Sequence, residues 1–374
     1  HRYNSRMIIW TLNAGSSSVK LGIFEPSAAS SAAQRCVLRR RVTLLPAGEA
    51  ATLAYLRAEH AGYPPNVIAH RVVHGGHSLS KPCVIDPAAR RAIEAAASFA
   101  PLHNPVALRW IDACQSVWGN ELRQIAVFDT AFFAQLPEAA WRYALPTALA
   151  DEHHLRRYGF HGIAHANMYK QFSALRPDLA HGGRLVTLQL GGGCSAAAIL
   201  NGVPQDTSMG FSPLEGLVMA TRAGDIDAGL LVHLQRTLGY DAAAVESLLV
   251  RESGLLGLSG TSSSAGDLLT ADTTASRLAL DIYCRRVAKY VAAYASVLGG
   301  LDAIGFGGGV GENVPAVRKS ILVRLGVRGV QVDVARYLAG GKISSDSSRM
   351  DCRVLAVDEE SELAAAAQSL GGGA

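Results

Sequence analysis

No Cys-x-x-Cys pair occurs in these 374 residues, and the six cysteines (Cys36, Cys83, Cys114, Cys194, Cys284, Cys352) are scattered. That pattern fits reduced thiols in a cytosol better than a disulfide framework or a zinc site. No apolar run reaches the roughly 18 to 20 residues a membrane span needs, and no signal peptide is visible. Strong charge of one sign is missing too. The net charge is +4, and the only dense basic block is Arg39-Arg40-Arg41. A dedicated nucleic-acid surface is excluded on that ground, and the trio reads as a solvated face. What is present is apolar surface to bury, with 49% hydrophobic residues against 18% charged ones. A chain of this length exceeds one ordinary core, so two domains are expected, in a cytoplasmic protein. His1–Arg6 precede Met7, read as a vector remnant, and are set aside.

The stretch Asp206–Asp227 organises the rest. It has no helical or strand period and is punctuated by Gly210, Pro213, Gly216 and Gly224, so ordering it costs much backbone entropy. It sets one cation, Arg222, among small residues next to Asp225 and Asp227. A fixed guanidinium suits an anion whose charge is shared over several oxygens; a surface loop with an ordinary salt bridge is the plainer alternative.

Along the chain, Met7–Leu12 reads as a buried strand, Asn13–Lys20 as a turn of small residues, and Leu21–Glu25 as the return strand. Asn13, Ser16, Ser18 and Lys20 line that tip. Such a turn can cradle phosphate oxygens, although a Ser-rich hairpin loop has the same composition and Lys20 on a strand can face solvent. Residues 26–66 show no chemistry. His70, His74 and His77 have zinc-like spacing only on a helix, and Gly75-Gly76 argues against one. Arg71, at a strand end, is the more useful residue. Asp86–Phe99 and Val106–Val117 read as helices around a break at Pro101–Pro105, where His103 is either a structural hydrogen-bonder or a positioned contact. Asp129 follows the strand Gln124–Phe128 and is either a catalytic carboxylate or a helix cap.

A second domain begins near Asp151. His161 and His165 stand four apart without the glutamate of a zinc-protease motif. Arg184–Leu190, the turn Gly191-Gly192-Gly193, and Ala196–Leu200 then repeat the strand–turn–strand logic of the first domain. Thr274–Leu298 reads as a helix packing on the sheet through Leu278, Ile282, Val287 and Val291. Ala303–Phe306 reads as a strand ending in Gly308, Gly309, Gly311 and Asn313 before a helix from Pro315, a setting that favours phosphate. After the strand Arg353–Val357, the acids Asp358-Glu359-Glu360 either hold Mg²⁺ through water or complement the dipole of the last helix.

Seven blocks in order carry a resemblance to the acetate kinase family: Asn13–Lys20, His70–Gly76, Ala100–Pro105, Phe128–Phe132, Tyr158–His165, Asp206–Asp227 and Gly308–Asn313. The resemblance runs from Met7 to about Ala367. It implies an α/β, two-domain actin-like/sugar-kinase (ribonuclease H-like) fold with an interdomain cleft. An N-terminal lobe would span 7–150, with the helix at about 360–370 packing back on it, and a nucleotide-binding lobe would span 151–359. It further implies a homodimer and reversible, Mg²⁺-dependent phosphoryl transfer from ATP to a short carboxylate. Carried over residue by residue, Arg71, Asp129, His161 and Arg222 are catalytic. Val73, Leu102, His103, Phe160 and Pro213 bind the acyl substrate. Asn13, Ser16, Ser18, Lys20, Gly191–Gly193, Gly308, Gly309, Gly311 and Asn313 hold phosphate or nucleotide, and Asn13 and Glu359 serve the metal. This inventory matches what phosphoryl transfer needs, which is positioning and charge neutralisation. A carboxylate acceptor is already nucleophilic, so Asp129 is cast as an orienter rather than a base.

The sequence departs from the family at Gly192, where Asn is usual, and at Ser264-Ala265-Gly266, where an acid and an arginine are usual. Phe133 stands where many members carry His, and Ala220 where Gly is usual. The alternatives kept open are another donor (pyrophosphate or GTP), a longer acceptor such as propionate, and a catalytically silent nucleotide-binding protein.

Overall fold

The computed structural model describes residues 7–15, 17–27, 30–179, 181–326, 329–333, 335–336 and 340–371, so His1–Arg6 and Ser16 lie outside the described residues. Contacts divide the chain into two units, His1–Ala134 with Asp358–Ala374, and Gln135–Val357. Residues 135–150 therefore group with the second unit.

The first unit is built on a six-stranded sheet of β1 (Ile9–Ala14), β2 (Ser18–Ser27), β3 (Ser30–Thr43), β4 (Val67–Val72), β5 (Cys83–Val84) and β6 (Arg123–Phe128). Their spatial order is β3-β2-β1-β4-β6-β5. β1 and β2 form the expected hairpin, while β4 runs parallel to both β1 and β6. β1 and β4 are buried almost throughout, which is why each reads as a near-continuous apolar run. Trp10, Leu12 and Ile68 share a core with Leu53 and Trp110 from the helices Glu49–Glu59 and Asn104–Trp118. The stretch without visible chemistry thus supplies scaffold, namely β3 and the helix Glu49–Glu59. The basic trio lies on β3, where Arg40 reaches Glu59 and Arg39 reaches Asp358 in exposed ion pairs of small energetic weight. The helix Glu359–Gly371 packs on β1, β4 and β6.

The second unit carries β7 (Arg184–Leu190), β8 (Cys194–Leu200), β9 (Val203–Thr207), β10 (Ala303–Gly307) and β11 (Asp351–Val354) in the order β11-β10-β7-β8-β9. β7 and β8 form a hairpin, and β10 is parallel to β7 and to β11. Apart from the two-residue β5, the two sheets have one topology: the third, second, first, fourth and fifth strands of each unit lie side by side. The repeated hairpin logic of the sequence is therefore a repeated sheet.

Two expectations about helices change. On the helix Thr274–Val297, Val287 and Val291 are fully buried, but Leu278 is 55% exposed and Ala279 takes the inward place. The glycine run after β10 is not a loop facing a later helix. Gly308 itself opens a short helix, Gly308–Asn313, directly at the strand end, and Pro315–Arg324 follows. Among the described residues, no helix is long and apolar enough to cross a membrane.

Candidate active site

Four residues singled out in the sequence meet in the first unit. Asn13 sits near the end of β1, Arg71 on β4, Asp129 just after β6, and Glu359 at the start of the last helix. Parallel neighbours β1, β4 and β6 present their C-terminal ends side by side, which is where open α/β sheets collect ligand groups. Arg71 grips Asp129 through Nη2 at 2.6 Å and Nε at 3.2 Å, and its Nη1 donates to Asn13 Oδ1 at 3.2 Å. Asn13 Nδ2 in turn donates to Glu359 Oε2 at 2.7 Å. Burial opposes the charge on Arg71, but Asp129, Glu359 and Glu360 offset it and hold the guanidinium in its charged form. Burial raises the Asp129 carboxyl against the pull of Arg71. Asp129 is thus an orienter of Arg71, not a cap.

The backbone beside Arg71 is pinned by two residues the sequence reading passed over. Asn104, fully buried, accepts from His74 N at 3.1 Å and donates to His74 O at 2.9 Å. Thr130 Oγ1 accepts from Gly75 N at 3.2 Å. Asn104 behaves like one more strand partner for the segment holding Arg71 and Val73. Its signal was the Leu102-His103-Asn104-Pro105 run, where only His103 drew attention.

The second unit gathers another set. His161 stands with φ of +58° at the N-terminal cap of the helix Gly162–Leu175. A non-glycine residue in that region is uncommon and strained, a cost met where surrounding structure fixes the side chain. Arg222 is largely buried, and its guanidinium donates to Pro213 O at 2.9 Å. Among the described residues no carboxylate pairs with it; Asp225 instead accepts from Gly216 N and Tyr290 and faces Arg286. Burial lowers the Arg222 pKa. The plain salt-bridge reading of this loop is therefore set aside.

His161 and Arg222 meet at Gly193. A Cβ placed there would lie 3.3 Å from His161 Nε2 and 3.6 Å from Arg222 Nη1. The missing side chain leaves room beside two nitrogen donors at once. Gly193 does not have positive φ, so alanine is tolerated by the backbone. Gly193→Ala is expected to fold with unchanged stability and to lose about tenfold or more in kcat, because the methyl group takes space next to both nitrogens. Thermal unfolding beside steady-state rates checks this.

The Arg222 loop is locked at its base and along its length. Gly216 N donates to Asp225 Oδ1 at 2.8 Å, and Asp225 N donates to Gly216 O at 3.0 Å. Arg286 caps the Gly216 carbonyl at 2.9 Å. Ala220 N donates to Gly192 O at 3.1 Å, which ties the loop to the glycine turn between β7 and β8. Gly254 lies so close to the backbone of Met219 and Arg222 that any Cβ would clash. Glu215, held by Arg157 at 2.7 Å and by Tyr143, secures the preceding bend.

The remaining candidates are placed less centrally. Gly15 N is spent on Ser18 O at 2.8 Å, so that amide is not offered to a ligand. Lys20 is 45% exposed and 4.0 Å from Glu360. Gly308 N donates to the Glu312 carboxylate at 2.9 Å, so the first amide of that helix already holds an anion from the chain itself. Asn313 Nδ2 caps Gly309 O at 3.0 Å, and Gly311 is buried against Leu190 and Phe306. Gly191 N bonds Gly193 O, and Gly192 has open space around its Cα. Val73 and Phe160 are buried, while Leu102 is 45% exposed and His103 stands at the N-cap position of the helix Asn104–Trp118 without a side-chain capping bond.

For a metal, no group of three or more His, Cys, Asp or Glu gathers among the described residues. Mg²⁺ does not need one. It keeps several waters and shares its shell with phosphate oxygens, so one carboxylate and one amide oxygen are a fitting protein share. Glu359 and Asn13, bonded to each other, are a carboxylate and an amide that could make up that share.

A repeated sheet of this order, with a hairpin in each copy, defines the actin-like/sugar-kinase class of phosphotransferase folds. A family model described as the Acetokinase family matches residues 50–365. Acetate kinase 1 of Vibrio cholerae serotype O1 is 44% identical over 302 residues, covering 78% of this chain and 75% of the relative. The acetate kinase of Sulfurimonas denitrificans is 44% identical over 306 residues, covering 82% and 78%. Among solved structures, a propionate kinase from Francisella tularensis is similar with a TM-score of 0.89 at 32% identity, over 97% of this chain and 99% of that one. Porphyromonas gingivalis acetate kinase gives 0.85 at 32% identity, with the same coverage. The chain belongs to the acetokinase family.

Proposed function

We propose that this chain catalyses reversible phosphoryl transfer between ATP and acetate, giving acetyl phosphate and ADP. The observation that carries the reading is a largely buried arginine, Arg222, with no carboxylate partner among the described residues and with His161 Nε2 beside the same small gap. A buried cation of this kind is stabilised by an anion that arrives with the substrate. Arg71, aimed by Asp129 and Asn13, supplies the second cation of the reading and orients the acceptor carboxylate. Mg²⁺, which Glu359 and Asn13 would hold, supplies further neutralisation of the phosphate oxygens when bound. Val73, Leu102, His103, Phe160 and Pro213 are proposed to shape the acyl site, and the glycine turns at 191–193 and 308–311 to take the nucleotide. Ser18 and Lys20 are kept in the phosphate-side turn. Homodimer formation belongs to the same reading, supported by Leu230, Val232 and Leu238 exposed on one helix. A cytoplasmic location is supported by six unpaired thiols.

A second reading, a different phosphoryl donor, is favoured by one observation. No side chain fills the space at Gly192, and Ser262, Ser264 and Asp267 bond to one another at the start of the helix Ala265–Ala271. Hydroxamate trapping of acyl phosphate decides between the two. ATP, GTP and pyrophosphate are each offered with acetate and with propionate in the presence of Mg²⁺. The expected result is fastest turnover with ATP and acetate. Turnover with pyrophosphate alone would replace the donor, and none with any pair would leave a silent nucleotide-binding protein.

A further inference from the structure

We infer that Thr187, His165 and Ser195 are positioning residues that fix the His161 ring with its proton on Nε2, the nitrogen beside Gly193 and Arg222. Only the consequence for catalysis rests on the proposed function; the proton accounting stands without it.

Four side chains of the second unit form one line. Thr187 Oγ1 lies 2.7 Å from His165 Nδ1, His165 Nε2 lies 2.8 Å from Ser195 Oγ, and Ser195 Oγ lies 2.9 Å from His161 Nδ1. Thr187, His165 and Ser195 are fully buried. Each hydroxyl owns one proton, and each neutral imidazole carries one. The direction of any one bond therefore sets all the others.

The free end of the line decides the direction. Among the described residues, the Thr187 hydroxyl has His165 Nδ1 as its one hydrogen-bond partner. If Nδ1 carried the proton and donated to Thr187, the hydroxyl proton would be buried with no acceptor. A buried donor left unmade is the costly error, whereas a spare oxygen lone pair costs little. Thr187 therefore donates to Nδ1. Burial keeps the His165 ring neutral, with its pKa well below the ordinary value, so its single proton sits on Nε2. That N–H donates to Ser195 Oγ, and the Ser195 proton goes to His161 Nδ1. The His161 proton is left on Nε2.

His161 is then a hydrogen-bond donor at the gap, not a base. A neutral N–H and the Arg222 guanidinium point at one place, which is the arrangement that stabilises oxygen charge developing there. The line also explains why a left-handed histidine is tolerated at position 161: its ring is held from behind by the Ser195 hydroxyl, itself fixed by His165.

The test uses the full chain labelled with ¹⁵N-histidine, read by long-range ¹H–¹⁵N correlation at pH 7.5. Spectra of His161→Gln and His165→Gln assign the two rings. Both rings are expected in the Nε2–H form, and a proton on Nδ1 of either one overturns the inference. Ser195→Ala adds a kinetic readout: kcat should fall about tenfold while KM for acetate stays within about twofold. A kcat within about twofold of the parent would overturn the positioning role. The wild-type spectrum decides the tautomer even where Ser195→Ala does not fold. The activity of His161→Gln judges the catalytic reading separately.

Discussion

Arg222→Ala is expected to lower kcat by about 10² to 10³-fold while acetate and nucleotide binding change by only a few-fold. The backbone of the loop does not depend on the guanidinium. It is held by the Gly216–Asp225 pair, by Arg286 and Tyr290, and by Ala220 on Gly192. Truncation therefore removes a charge and leaves the frame. That charge sits where, among the described residues, no carboxylate competes for it, and it gains most when oxygen charge peaks in the transition state. Arg222→Lys should recover only part of the rate, since an ammonium cannot reproduce the planar fork. Steady-state rates with saturating substrates read both variants.

Arg71→Ala is expected to act on stability as well as on rate. Asp129 is 1% exposed and takes its counter-charge from Arg71 through two guanidinium nitrogens. Removing the arginine strands a buried carboxylate beside Glu359, a loss of about 3–5 kcal/mol by the usual cost of breaking such a pair. Adding Asp129→Asn to that variant should restore most of the stability and none of the activity. Denaturant unfolding of the two variants, with rates alongside, separates the roles. If the double variant is no more stable than Arg71→Ala, the pair is not the buried charge couple drawn here.

Much of this was legible because backbone constraints leave marks in sequence. β1, β4, β7 and β10 read as apolar runs since they are buried on both faces, and the glycine turns marked both hairpins. Arg71, Asp129 and Arg222 stood out because charge beside a strand end or among glycines is unusual. What stayed hidden was partnership. Nothing local to Asp225 said that it bonds Gly216 and Tyr290 rather than its neighbour Arg222. The Leu102–Pro105 run marked a rigid turn but did not say that Asn104 contacts His74, thirty residues away in the chain. The Gly308 amide was read as open to phosphate because Glu312 folds back onto it only once the short helix has formed. Leu278 misled for a simpler reason, since a long helix whose apolar stripe is partly alanine leaves its register open by one position.

The most direct measurement is a single-turnover experiment with enzyme in excess over ATP at saturating acetate and Mg²⁺. Rapid quenching follows acetyl phosphate in the parent and in Arg222→Ala. If Arg222 and His161 neutralise the phosphoryl group in transit, the transfer step itself slows by about 10²-fold or more in the variant, with both substrates still bound. Phosphoryl transfer at the parent rate in Arg222→Ala would contradict that account.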